Sequence, residues 1–279
     1  MLSEHLDMVI VGHLSRDIIV VDGGRQEATG GAVYFAAFAA KPACSKILVI
    51  TKLALADVDL LSDFWQKGIP VLPLFSLKTT IMEDSFDSGE NYVRKSKVLS
   101  LASSFRIEEI PVKSAEVFYL AGLMQGEIPE TLIEELSRYG KIALDVQGFL
   151  RAPGPGTLVL SEWREKEKYL PYVHFLKADR REAHFLTGNS EIEDMIRSIH
   201  EWGVKEILIT DDQGVTVSDG IITLHKPFDR YRIEARTGRG DTCFASYLSW
   251  RINHDTKKSL DYCLRITNRK LCKPGPYRC

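Results

Sequence analysis

The chain has little excess charge of either sign. Its 36 Lys and Arg stand against 38 Asp and Glu, a formal net charge of −2 over 279 residues. That balance offers no electrostatic footprint for wrapping nucleic acid or coating an acidic membrane. Long hydrophobic runs are missing too: the longest, at 31–40, is too short to span a bilayer. Acids occupy the first residues (Glu4, Asp7), where a signal peptide would carry Lys or Arg. Cysteine is sparse and odd in number (Cys44, Cys243, Cys263, Cys272, Cys279), with no CxxC spacing. This argues against a disulfide scaffold or a zinc knuckle and for free thiols in a reducing, cytoplasmic setting. The 7 histidines are scattered, with no pair at metal-ligand spacing. Absent as well are the Gly-x4-Gly-Lys-Ser/Thr loop, the Gly-x-Gly-x-x-Gly fingerprint, the Gly-x-Ser-x-Gly elbow and His-Glu-x-x-His. Zinc hydrolysis, nucleotide switching and nicotinamide redox chemistry all lose ground on those absences.

What is present is a normal globular balance, 44% hydrophobic and 27% charged. The length suits one large α/β domain over residues 1–279. Short apolar runs at 8–11, 47–50, 117–120, 142–145, 175–178 and 206–210 read as strands buried on both faces of a parallel sheet. Between them, 32–40, 57–66, 129–138, 179–186 and 192–202 read as helices, with Pro129 near a start and Gly140, Gly188 and Gly203 after ends. This rhythm predicts a three-layer α/β/α domain whose ligands lie at the carboxyl ends of the strands.

Two regions break the rhythm. Residues 15–28 alternate like a hairpin around Asp22-Gly23-Gly24, and 79–101 holds two β-like pieces, 80–82 and 91–93, with a turn at Asp87-Ser88-Gly89. Such polar strands fit a small flap over the sheet edge, and equally an ordinary surface hairpin. Pro153-Gly154-Pro155-Gly156 reads as a local turn.

The sharpest feature is Ala235-Arg236-Thr237-Gly238-Arg239-Gly240-Asp241-Thr242. Phe244, Leu248 and Ile252 recur at helical spacing, so a buried helix begins near Gly240. The two glycines allow a tight turn with successive N–H groups aligned, which with the helix dipole makes an anion hole. Asp241 in the first turn is placed to take a hydroxyl proton beside that hole, as phosphoryl transfer to an alcohol requires. Taken alone, the same residues fit a helix cap after a Gly turn.

This segment resembles the C-terminal signature of the ribokinase-like (PfkB) carbohydrate kinases, usually Asp-Thr-x-Gly-Ala-Gly-Asp. The resemblance recurs in order along nearly the whole chain. Gly12-His13-Leu14-Ser15-Arg16-Asp17 resembles the turn that offers Asp17 to substrate hydroxyls, and Gly30-Gly31 the pair that lets the backbone approach substrate. Lys177-Ala178-Asp179-Arg180-Arg181-Glu182 resembles the Lys-x-Asn-x-x-Glu segment that organises magnesium and phosphate through water. Ile209-Thr210-Asp211-Asp212-Gln213-Gly214 falls where the family holds nucleotide. The implied fold is the ribokinase-like three-layer α/β/α fold, with a central mostly parallel sheet and a small β-lid at about 15–28 and 79–101. The implied reaction is ATP-dependent transfer to a small polyol or sugar, with Asp241 as base and Gly238, Arg239 and Gly240 at the anion hole. Lys177, Thr210, Gly214 and Thr237 would face ATP, and Asp179 with Glu182, three apart on one helical face, would face Mg2+. Lids in this family can pair between subunits, which leaves a homodimer open.

The departures bear on substrate. Arg239 replaces the signature Ala, Asp179 replaces the Asn, the Thr210 loop is one residue short, and Phe35 stands where sugar kinases carry an Asn. Leu144-Asp145-Val146-Gln147-Gly148-Phe149-Leu150-Arg151 and the closing Lys273-Pro274-Gly275-Pro276 are similar to the inositol-kinase-like branch. Asp145, Gln147 and Arg151 then join Asp17, Gly30 and Gly31 as substrate-side residues, and a cyclitol such as myo-inositol leads. Fructose, ribose, a nucleoside stacked on Tyr34 or Phe35, and a non-catalytic sugar-binding member remain alternatives.

Overall fold

The computed structural model describes residues 5–21, 24–86, 94–229 and 237–278. Asp22, Gly23, the 87–89 turn, the 91–93 piece and signature residues Ala235 and Arg236 lie outside the described residues. In chain order the strands are β1 (Leu6–Val11), β2 (Ser15–Val21), β3 (Gly24–Gly30), β4 (Ile47–Leu53), β5 (Val71–Phe75), β6 (Thr80–Phe86), β7 (Arg94–Ser100) and β8 (Ala115–Leu120). They continue with β9 (Lys141–Asp145), β10 (Arg151–Pro153), β11 (Leu158–Leu160), β12 (Val173–Asp179), β13 (Glu206–Thr210), β14 (Gly214–Ser218) and β15 (Thr223–Pro227). The helices are α1 (Ala32–Ala40), α2 (Ser62–Gln66), α3 (Thr131–Ser137), α4 (Gln147–Leu150), α5 (Lys166–Tyr169), α6 (Arg180–Thr187), α7 (Ile192–Glu201), α8 (Arg239–Arg251) and α9 (Thr256–Leu271).

The apolar runs form the centre of a nine-stranded sheet among the described residues, ordered β15-β14-β13-β12-β9-β8-β1-β4-β5. Pairings from β5 through β13 are parallel, and β14 and β15 add an antiparallel edge. Alternation along each strand feeds two cores. Met8 and Ile10 of β1, with Tyr119 of β8, pack against α1, α8 and α9. Val9 and Val11, with Phe118 and Leu120, pack against α3, α6 and α7. Every residue of α1 is buried, as its apolar all-round sequence requires. Pro73 is tolerated because β5 is an edge strand, paired with β4 alone.

The two polar regions form one four-stranded sheet, ordered β3-β2-β6-β7, in which β2 and β3 make the expected hairpin. The parallel pairing of β2 with β6, from Ser15↔Thr80 to Val21↔Phe86, joins segments far apart in sequence. The 153–156 turn closes the short β10–β11 hairpin. One expected element is corrected: 57–66 is not a single helix but a 3₁₀ segment, Leu55–Leu61, followed by α2. Asp57 leaves helical geometry (φ −107°, ψ 21°) because its carboxylate is held by Thr79 and Arg16.

Candidate active site

The helix expected after the glycines begins at Arg239, with Gly238 as its N-cap in the left-handed region (φ 75°). A side chain at 238 would be strained and would also overlap the Phe35 ring. The opening N–H groups of α8 have no backbone acceptor within the helix, so Arg239 and Gly240 bring unpaired donors to the cavity wall at the positive end of a 13-residue dipole, and the Asp241 N–H meets its own carboxylate. Asp241 lies in that first turn. Burial pushes its carboxyl above the usual carboxylate range, and Lys177 and Arg151 only partly pull it back. Lys270, unnoticed in the sequence, reaches back from α9 to donate to the Thr237 carbonyl. Burial brings its ammonium down to about 8, against the pull of Asp241.

Behind the helix start lies a charge network. Lys177 Nζ donates to Asp145 Oδ2 at 2.9 Å and lies 3.9 Å from Glu182 Oε2. Arg151 Nη2 and Nε donate to Glu182 Oε1 at 2.8 and 3.2 Å. Burial alone would lower Lys177, but Asp145, Glu182, Asp241 and Asp179 hold it above its ordinary value. Burial likewise works to raise Glu182, and Lys177 with Arg151 overcomes it. Asp145 is pushed up by burial with Lys177 pulling against it. This carboxylate was expected at the pocket wall. The structure instead buries it fully beneath Lys177, where it also accepts from the Gln147 N–H. Gln147 and Arg151 do line the cavity.

The helical-face reading of Asp179 and Glu182 is corrected as well. Asp179 is the extended N-cap of α6 (φ −80°, ψ 164°), and the two residues form a capping box. Asp179 Oδ1 accepts from Glu182 N at 2.7 Å, and Glu182 Oε2 accepts from Asp179 N at 2.8 Å.

The acceptor side comes from β1–β2 and the small sheet. Asp17 is 8% exposed and accepts from Ser15 Oγ at 2.6 Å, and both line the cavity. Gly30 has its role in this contact, since any Cβ there would overlap the Asp17 carboxylate. Gly31 (φ 97°) turns the chain into α1 and lines the cavity directly. Met82 of β6, Ser96 of β7, Leu123 and Leu158 also line it and were missed. The signal available for Met82 was its position two residues beyond Thr80 on one strand face. Tyr34 is corrected in the opposite direction: its hydroxyl donates to Asp63 and its ring packs on Phe38 and Phe64. The enclosed space is about 200 Å³.

A second cavity, of about 550 Å³, shares Asp179, Thr210 and Arg239 with the first. Arg180, Arg181, His184, Asp211, Asp212 and Met195 complete most of its wall. Arg239 therefore spans both cavities, its guanidinium 5.2 Å from the Phe228 ring centroid and 3.6 Å from Asp212. Thr210 ends β13, and Asp211 Oδ1 closes the following turn by accepting from the Gln213 and Gly214 N–H groups. Gly214 is corrected to a structural role: it starts β14 with its back against the Lys226 carbonyl, away from both walls.

No group of three or more His, Cys, Asp or Glu side chains converges as a metal cage among the described residues. The donor set fits a hard ion that keeps its own water. Lys177 and Arg151 already occupy Asp145 and Glu182, which leaves Asp179 and Asp241 as the carboxylates at the cavity wall that a hydrated ion would reach through its waters. Magnesium typically bridges substrate phosphates to one or two such carboxylates through retained waters.

Comparison with known proteins identifies the family and the fold. Residues 85–269 match the pfkB family of carbohydrate kinases. A pyrophosphate-dependent kinase in the ribokinase family, solved as a sulfate complex, is 36% identical, with 97% of each chain covered and a TM-score of 0.91. A structure of a pyrophosphate-dependent kinase of that family with a pyrophosphate analog and myo-inositol is also 36% identical, again covering 97% of each chain, with a TM-score of 0.90. A cytidine kinase from Thermococcus kodakarensis is 25% identical over 94% of this chain and 93% of its own length. The large mostly parallel sheet and the separate small sheet thus have their explanation in descent: the chain belongs to the pfkB family of carbohydrate kinases and is a kinase of the ribokinase-like fold.

Proposed function

We propose that this kinase transfers a phosphoryl group from pyrophosphate to a hydroxyl of a cyclitol, with myo-inositol as the leading acceptor. Asp241 takes the proton as the acceptor oxygen forms its bond to phosphorus. The bond from phosphorus to the bridging oxygen breaks, and inorganic phosphate leaves. The raised carboxyl of Asp241 makes it a better base near neutral pH than an exposed Asp. The N–H groups of Arg239 and Gly240 hold the transferring phosphate. Asp17, Ser15 and Gln147 orient hydroxyls, and the small sheet acts as a lid that excludes competing water. Bound Mg2+ would supply charge neutralisation on the phosphates, held toward Asp179 with Glu182 organising that end of the site. Free, mostly buried thiols at Cys44, Cys243 and Cys263 suit a reducing cytoplasm.

The observation that carries the donor reading is the second cavity. Three guanidinium-bearing side chains, Arg180, Arg181 and Arg239, line it beside three carboxylates, Asp179, Asp211 and Asp212, of which Asp211 is turned into its own loop, while Met195 is its one aliphatic lining residue among the described residues. Guanidinium groups match phosphate oxygens, whereas an adenine ring needs a flat apolar slot. The turn expected to hold nucleotide is closed on itself by Asp211. The 36%-identical relatives are pyrophosphate-dependent, which points the same way and away from the ATP implied by the wider family. Of the two rings considered for stacking a nucleoside, Tyr34 faces Asp63, whereas Phe35 lines the acceptor cavity with its ring against Gly238, so cytidine stays in the test as the rival acceptor.

The test is phosphomonoester formation followed by phosphorus NMR. ATP and pyrophosphate are crossed with myo-inositol, fructose, ribose and cytidine. Product from pyrophosphate and myo-inositol, at least about tenfold faster than with ATP, supports the reading. Preference for ATP overturns the donor, and preference for cytidine overturns the acceptor.

A further inference from the structure

One buried titratable group lies beside the site without touching either cavity. His13, in the link between β1 and β2, is fully buried. Its Nε2 is 3.1 Å from the Ser103 carbonyl, which can only accept, so Nε2 carries the proton. In a neutral ring Nδ1 must then accept, and the Thr80 hydroxyl lies 2.9 Å away to donate. The same hydroxyl accepts from the Ala102 N–H at 3.1 Å. His13 N–H in turn donates to Glu127 Oε1 at 2.6 Å, while Leu123 N–H donates to Glu127 Oε2 at 2.7 Å.

These partners are not a random set. Thr80 is the first residue of β6, where the chain re-enters the small sheet, and Ala102–Ser103 follow β7, where it leaves for the second time. Leu123 and Ser15, the residues flanking this circuit, both line the acceptor cavity. Met82 shares the inward face of β6 with Thr80, two residues on, and Ser96 of β7 donates to Asp84 on that same face. One imidazole therefore ties both ends of the β6–β7 excursion into the small sheet to the start of the strand that carries Asp17.

We propose that His13, through Thr80, is a positioning residue that fixes the pose of the small sheet over the acceptor, and with it the choice of hydroxyl. The proposal rests on the reading of that sheet as an acceptor-side lid. Every donor and acceptor in the circuit is matched, so removing the Thr80 hydroxyl leaves His13 Nδ1 and the Ala102 N–H buried and unpaired. Such a loss costs on the order of a tenfold change in the equilibrium that needs the correct pose.

The experiment uses the full chain with Thr80→Val, Thr80→Ser and His13→Gln, at saturating donor. Thr80→Val is expected to raise acceptor KM about tenfold with kcat within about twofold, and to broaden the ratio of phosphate positional isomers. Thr80→Ser, which restores the hydroxyl, returns both toward wild type. His13→Gln keeps a donor for the Ser103 carbonyl, shifts the acceptor for Thr80 from the ring Nδ1 position to an amide oxygen, and falls between them. A merely structural role would lower Tm and leave acceptor KM and isomer ratio unchanged, and that result overturns the proposal. Amide hydrogen exchange separates this from failure of the acceptor assignment, because it needs no substrate. Thr80→Val should speed exchange in β6 and β7 and leave β12 unchanged, and equal protection in β6 and β7 overturns the proposal whatever the acceptor proves to be.

Discussion

The floor of the site and its small covering sheet are built on opposite principles. The floor is made by backbone and by charge held in low dielectric: the Gly238 turn, the α8 N–H groups, and Lys177 and Arg151 locked among carboxylates. The covering sheet is polar, with β3 exposed over most of its length, and is joined to the body through hydrogen bonds at His13, Thr79 and Thr80. Phosphoryl transfer asks the same geometry of every family member, so the floor tolerates little. In the proposed reading acceptor choice asks for adjustment, and the sheet is one place where it is made.

The contrast can be broken most sharply at Gly238. Gly238→Ala must hold a positive φ and displace the Phe35 ring from the cavity wall, so the anion hole shifts, and kcat should fall about 100-fold with acceptor binding weakened as well. Steady-state kinetics beside calorimetric binding checks this. Next is Arg151→Met, which leaves Glu182 buried without its main partner. Stability should drop by about 3 kcal/mol in urea titration, with exposed-sheet changes such as Glu27→Gln staying within about 0.5 kcal/mol.

Titration separates the two regions again. Asp241 must be ionised to act as base, and burial raises its pKa above the ordinary 3.8. The acid limb of the kcat profile should therefore lie above that value, with activity lost as pH falls through it. A limb at or below 3.8 would place the base elsewhere. At the sheet hinge the smallest effect is one of stability. Burial lowers His13 below its ordinary 6.5, against the pull of Glu127, and Lys52, paired with Glu109, adds to the lowering. The unfolded chain then binds a proton the folded one refuses. Stability contributed here is present above pH 6.5 and is lost as pH falls below it, and His13→Gln should flatten that slope.

The same division governs what could be read from sequence. Thr237-Gly238-Arg239-Gly240-Asp241 was legible because its glycines encode a backbone path, and the helix follows from Phe244 and Leu248. The central strands were legible because burial on both faces writes itself as apolar runs. Asp145 was misplaced because strand-end position says nothing about a lysine folding over it from the neighbouring strand. The 57–66 break depends on Arg16 and Thr79, which tertiary pairing alone brings to Asp57. Met82 and Ser96 reach the cavity through the β2–β6 pairing, which joins segments too polar and too distant for periodicity to connect. Asp179 and Glu182 had a readable signal, an N-cap Asp with Glu at the third helical position, that points to a capping box rather than a shared face.

The most direct measurement compares wild type with Asp241→Asn for phosphate release from pyrophosphate in the presence of myo-inositol, alongside calorimetric binding of both ligands. If the α8 start is the transfer site, kcat falls roughly 10²–10⁴-fold while both ligands still bind. Turnover near the wild-type value in the Asn variant would contradict the account.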